Sequence, residues 1–144
     1  MKRLLFVVVA LGCLIALVSA CGASGPTVSD AFSYAAAQGA DVGVFMVVKN
    51  PGSKDESLVS ASTTVSSRAE LHTMVMAMGG GMQMQQVPSI VVPAGGQVEL
   101  KKGSLHVMVF GLNKALNVGD TFPVTLRTQS GRDIKVQVAV KAAN

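Results

Sequence analysis

Apolar and polar residues alternate along most of the chain in short runs broken by turn residues, the pattern of half-buried strands rather than amphipathic helices. "VGVFMVV" (42–48) runs into "NPG" (50–52), and "LVSASTTV" (58–65) alternates apolar with small polar positions. "AELHTMVMAM" (69–78) breaks at Gly79-Gly80-Gly81, and "MQMQQV" (82–87) resumes it. "SIVV" ends at Pro93-Ala94-Gly95-Gly96, "QVEL" ends at Lys102-Gly103, and "SLHVMVFGL" (104–112) leads into a loop reaching Gly119-Asp120. "TFPVTLRT" and "IKVQVAV" follow, joined through Ser130-Gly131. About nine strands and no helix are predicted, which is an all-β sandwich or barrel. Abundant valine, glycine at the breaks and no tryptophan agree with it. Pro123 has no N–H to give a ladder and predicts an edge position for its strand.

The N-terminus breaks this pattern. Lys2 and Arg3 precede an apolar run from Leu4 to about Val18, and small residues lead to Cys21. That order is a secretory signal, predicted over 1–20, and the run is shorter than the roughly 20 residues of a transmembrane helix. Val18-Ser19-Ala20-Cys21 fits a bacterial lipobox, so Cys21 is expected to carry a diacylglyceryl group and become the new N-terminus. Two acyl chains meet the two-signal requirement for stable membrane attachment. "GASGPTVSD" then reads as a flexible linker, giving a lipidated spacer over 21–29 and one domain over 30–144. The expected location is extracytoplasmic, either in a periplasm or on the outer face of the cell membrane.

Composition narrows the chemistry. Cleavage would remove Cys13 and lipidation would consume Cys21, leaving neither a disulfide nor a free thiolate. Without Lys2 and Arg3 the mature chain holds ten basic and eight acidic residues. With no basic cluster and no exposed aromatic pattern, nucleic acid is not an expected partner.

Methionine is where the chain departs from an ordinary β-domain. "LHTMVMAMGGGMQMQQV" (71–87) holds Met74, Met76, Met78, Met82 and Met84 just after His72, and the second histidine, His106, stands two residues before Met108. Residues two apart in a strand share a face, so His72, Met74, Met76 and Met78 are predicted on one side, Met82 and Met84 on one face of the next strand, and His106 and Met108 on one face of a third. If the triple glycine closes a hairpin, two methionine rows lie side by side and a third strand brings the second histidine. Imidazole and thioether together suit Cu(I), whereas zinc, magnesium and calcium prefer thiolate, imidazole or oxygen donors. Glu70 and Glu99, the acids nearest in sequence, are not clearly aimed at these side chains by alternation. A blue-copper electron-transfer centre needs a cysteine thiolate that the mature chain lacks. The competing reading is that methionine fills cores and lines adaptable surfaces, which weighs most for Met74, Met76 and Met78 taken singly.

From about Gly43 to Val140 the chain resembles the periplasmic copper chaperone family called PCuAC. The matching stretches are "VFMVVKNPG", "LVSAST", "AELH", "GMQMQQV", "VPAGGQVELKKGSLHVMVFGL" and "LNVGDTFPVTL". The family spacing is His, ten residues, Met, twenty-one residues, His-x-Met. Met84 and His106 are separated by 21 residues and Met108 completes the motif, but His72 and Met84 are separated by 11. The resemblance assigns the ligand roles to His72, Met84, His106 and Met108. The extra residue leaves open whether Met82 or Met74 replaces a ligand. Relatives often carry a His/Met-rich tail; this sequence ends "VAVKAAN", so additional metal capacity is expected from Met74, Met76, Met78 and Met82.

The resemblance implies a cupredoxin-like Greek-key β-sandwich that binds Cu(I) and passes it to an extracytoplasmic acceptor. In the family this is typically the CuA centre of cytochrome c oxidase subunit II, often with a Sco-type thiol protein. Two other classes compete with this expectation: a copper buffer or resistance lipoprotein using the methionine segment, and a structural or peptide-binding lipoprotein. No nucleophile motif is present, so the chain is not expected to be an enzyme.

Overall fold

The computed structural model describes residues 25–143. The readings of the signal segment, of Cys13 and of lipidation at Cys21 lie outside them. Ten strands follow in order: β1 (Thr27–Tyr34), β2 (Val42–Lys49), β3 (Glu56–Thr63), β4 (Arg68–Met76), β5 (Met82–Gln86), β6 (Ile90–Val92), β7 (Gln97–Leu100), β8 (His106–Phe110), β9 (Thr121–Thr128) and β10 (Asp133–Lys141). The described residues contain no helix.

Hydrogen bonding runs through one sheet in the order β5-β4-β8-β2-β1-β10-β9-β3-β6, with β7 paired to β2. β2 gives its first half to β8 and its second half to β7. β1 joins the two halves of the sheet, antiparallel to β2 and parallel to β10. The sheet folds on itself because both halves have an apolar face to bury. Val44, Met46 and Val48 of β2, Leu71 of β4 and Val107 and Val109 of β8 share one core with Leu58 of β3, Phe122, Val124 and Leu126 of β9 and Val138 of β10. Each such side chain contributes roughly 1.5–3 kcal/mol on full burial. The result is the expected all-β, cupredoxin-like sandwich.

Three sequence expectations need correction. The linker expected over 21–29 is strand from Thr27 onward, and β1 is the strand missing from the predicted set. Asp30 takes a φ of 55° and the register with β2 shifts between Ser29 and Phe32, which breaks the alternation that would have revealed it. Pro123 is not on an edge, because β9 lies between β10 and β3. The β3 ladder ends at Thr63, opposite Val124, and the Thr63 hydroxyl donates to the Pro123 carbonyl at 2.7 Å. The proline therefore turns its N–H-less side to a place where no ladder bond is required. Finally, the strand expected to reach Met78 ends at Met76, and Met78 belongs to the turn.

Candidate metal centre

The two histidines belong to the face of the sheet opposite the core. On β4 and β8 the odd positions Leu71, Val107 and Val109 point inward, so the even positions point out. β4 is the middle of three strands. It pairs His72 with His106 of β8 on one side and Met74 with Met84 and Met76 with Met82 of β5 on the other. Met108 lies opposite Glu70 on β4 and Gly43 on β2. The triple glycine does close the β4–β5 hairpin. Gly80 and Gly81 hold φ values of 83° and 89°, and the Ala77 N–H donates to the Gly81 carbonyl at 2.9 Å. Only glycine takes such angles at little cost.

An outward face would ordinarily be wet, yet His72 (7% exposed), His106 (5%) and Met108 (9%) are buried. A row of rings covers them. Phe45 of β2 touches Phe32 and Tyr34 of β1 and lies 6.3 Å from the His106 ring. His106 lies 6.0 Å from His72, and His72 lies 5.6 Å from Phe110. Cations close both ends, with Arg68 4.2 Å from the Phe110 centroid and Lys141 4.2 Å from that of Phe32.

Hydrogen bonds decide which ring nitrogens stay available. His72 Nε2 lies 2.9 Å from a Glu70 carboxylate oxygen. A carboxylate only accepts, so the proton of a neutral His72 ring sits on Nε2 and Nδ1 keeps its lone pair. That Nδ1 is buried without a hydrogen-bond partner, the one such side-chain atom among the described residues. His106 Nδ1 donates to the Ser104 carbonyl at 2.8 Å, which leaves its Nε2 as a lone-pair donor. One ring nitrogen tied to a carboxylate or carbonyl and the other free is the usual state of a metal-binding histidine.

Glu70 corrects the sequence reading that set it aside. It stands two residues before His72, shares its face, and binds Arg68 Nε at 2.7 Å through its other oxygen. The bond from Arg68, followed by that from His72, holds its carboxyl below the ordinary range. Spacing of two on one strand was the signal that could have found it. Glu99, by contrast, is exposed and pairs with Lys101.

Beside the histidines is an open depression of about 340 Å³, lined by Gly43, Phe45, Met74, Met84, Lys102, Gly103, His106 and Met108. Three of the four residues with assigned ligand roles line it, and His72 packs against His106 at its edge. Met74 lines it too, whereas Met82 pairs with Met76 further toward the hairpin turn. Of these two methionines, Met74 is the one at the depression. Gly43 makes room, since a Cβ there would come within 2.8 Å of the Phe45 ring. The donors that meet here are imidazoles and thioethers, a set that suits a soft ion rather than a hard cation. A larger depression near Asn50, Lys54, Glu56, Ser130 and Arg132 holds neither histidine nor methionine.

Residues 26–140 match the family model named LpqE-like, a lipoprotein family. The chain belongs to the LpqE-like family. Within that relationship, the Leifsonia xyli subsp. xyli protein Lxx21020, named as a lipoprotein, is 34% identical over 119 residues, covering 83% of this chain and 71% of the relative. The solution structure of the Cu(I) form of DR1885 from Deinococcus radiodurans is 31% identical, with a TM-score of 0.62, covering 84% of this chain and 83% of that one. The apo PCuAC domain of PmoF1 superposes with a TM-score of 0.71 at 18% identity over 83% of this chain and 96% of that one. The copper-bound PCuAC domain of PmoF2 gives 0.68 at 18% identity over 83% and 95%. At such identity the PmoF domains speak for the fold alone.

Proposed function

We propose that this LpqE-like protein is an extracytoplasmic Cu(I) metallochaperone, tethered by lipid at Cys21, that holds copper through His72, Met84, His106 and Met108. The observation that carries the reading is the buried, partnerless Nδ1 of His72 beside His106, whose Nε2 is likewise left free. A buried polar nitrogen without a partner costs on the order of 1–3 kcal/mol, and a soft cation bound there would remove that cost. The 31% identical DR1885, solved in a Cu(I) form, supports the same cargo.

Thioethers are neutral and need no deprotonation, so an acceptor's ligands can replace them one at a time while the imidazoles keep hold. Each imidazole must be neutral to bind, so acid competes with the metal. Glu70 and the Ser104 carbonyl keep both rings in the tautomers that present a lone pair. Phe45 and Phe110 exclude water from the ring faces. The open side of the depression, where Met84 is 48% exposed, is where an acceptor would reach the ion. This is a binding and transfer role rather than catalysis.

The acceptor proposed from the family resemblance is the CuA centre of cytochrome c oxidase subunit II, with a Sco-type protein as collaborator. Incubating the Cu(I)-loaded chain with the apo subunit II domain tests it. Transfer of one copper per chain is expected; retention of the ion in the presence of the acceptor would favour the copper buffer instead.

A further inference from the structure

Three methionines are left unused by this site, and burial does not explain them. Met78 is fully exposed, Met76 is 77% exposed and Met82 is 53% exposed. β5 is an edge strand exposed throughout, and no charged residue occurs from Leu71 to Val87. Edge strands are normally protected by charge or proline; β5 has neither and alternates exposed methionine with glutamine, which calls for a function.

Register gives these thioethers an order. Met76 faces Met82 across the hairpin, Met74 faces Met84 one step closer to the sheet interior, and His72 faces His106 one step further. All six lie on the outward face. Steps of two residues put successive rungs roughly 7 Å apart. Directly opposed strand side chains have Cβ atoms about 4.5–5.5 Å apart, within reach of one ion held by two flexible thioethers. No carboxylate or imidazole lies on the outer rung to compete with sulfur.

We propose that Met76 and Met82, joined by Met78 from the turn, form an outer, thioether-only Cu(I) site. Copper enters and leaves the inner histidine–methionine site through it, by way of the Met74–Met84 rung. The exchange is of ligands only, and copper stays Cu(I) throughout. The proposal rests on the Cu(I) reading above.

The test is an anaerobic Cu(I) titration of the full chain in detergent, carrying methyl-labelled methionine, followed by NMR. The Met84 and Met108 methyl signals should move with the first equivalent, and those of Met76, Met78 and Met82 with a second, weaker one. Replacing Met76, Met78 and Met82 with leucine conserves volume at exposed positions and should remove the second phase while keeping the first. A His72→Ala, His106→Ala chain should lose the first phase and keep the second. Turn methyl signals that stay in place under excess Cu(I) would overturn the outer site, whatever the inner site does. Turn signals that move while those of Met84 and Met108 never respond would instead overturn the chaperone reading and leave the outer site standing.

Discussion

Glu70 and His72 show how much one side chain governs at this site. A carboxylate that accepts from Nε2 decides the tautomer, and the tautomer decides whether Nδ1 can donate a lone pair. Glu70→Gln can present its own N–H to the ring and so favour the wrong tautomer. Affinity for Cu(I) should fall about 10–100-fold, the usual loss when a ligand's hydrogen-bond partner is changed, with the fold intact. Chelator competition checks the affinity and the far-ultraviolet spectrum checks the fold; equal affinity would mean that Glu70 serves only Arg68. The histidines and methionines were legible because the two histidines each stand beside methionines and the spacing is two. Glu70 had the same spacing and was set aside, because a carboxylate is a poor ligand for a soft ion and nothing in the sequence shows that the neighbouring ring is buried.

Among the elements, the hairpin of β4 and β5 and the adjoining β8 build the centre, and Gly43 of β2 shapes its floor. A valine at position 43 would place a Cβ 2.8 Å from the Phe45 ring, which is held between Tyr34, Phe32 and His106. Overpacking of this kind costs typically 1–3 kcal/mol. Gly43→Val should therefore lower the urea midpoint and weaken Cu(I) binding together, while Gly39→Ala, where a Cβ meets nothing but a φ of 82° strains an alanine, should lower the midpoint and leave binding unchanged. The strands that frame the site were legible from their apolar runs and the glycine breaks between them, not from burial, which covers both faces of β8 and neither face of β5. β1 was not, because the positive φ at Asp30 interrupts its alternation and half of its apolar side chains serve the outer aromatic row. Pro123 misled for a related reason: its missing N–H matters only on one side, and β3 had already ended there.

Across the whole molecule the core and the centre occupy opposite faces of the same sheet, so stability and binding are separable. Phe122→Ala, in the core and 1% exposed, should cost roughly 3–5 kcal/mol by denaturant titration yet leave the Cu(I) affinity of the folded fraction unchanged. Acid should act through Glu56, whose carboxyl is held below its ordinary value of 4.5, chiefly by the Ser130 hydroxyl. Since the folded-state value is the lower one, this stabilisation is present above 4.5 and disappears as pH falls through the folded value. Glu56→Gln should destabilise slightly near neutral pH and flatten the pH dependence of the urea midpoint below 4.5. The central claim is that both histidines and their neighbouring thioethers hold Cu(I). Its most direct test is an anaerobic Cu(I) titration of the wild-type chain against a chromophoric competitor, beside a His72→Ala, His106→Ala chain. The account predicts a tight first equivalent that the double variant loses. Binding equally tight in both chains, or in neither, would contradict it.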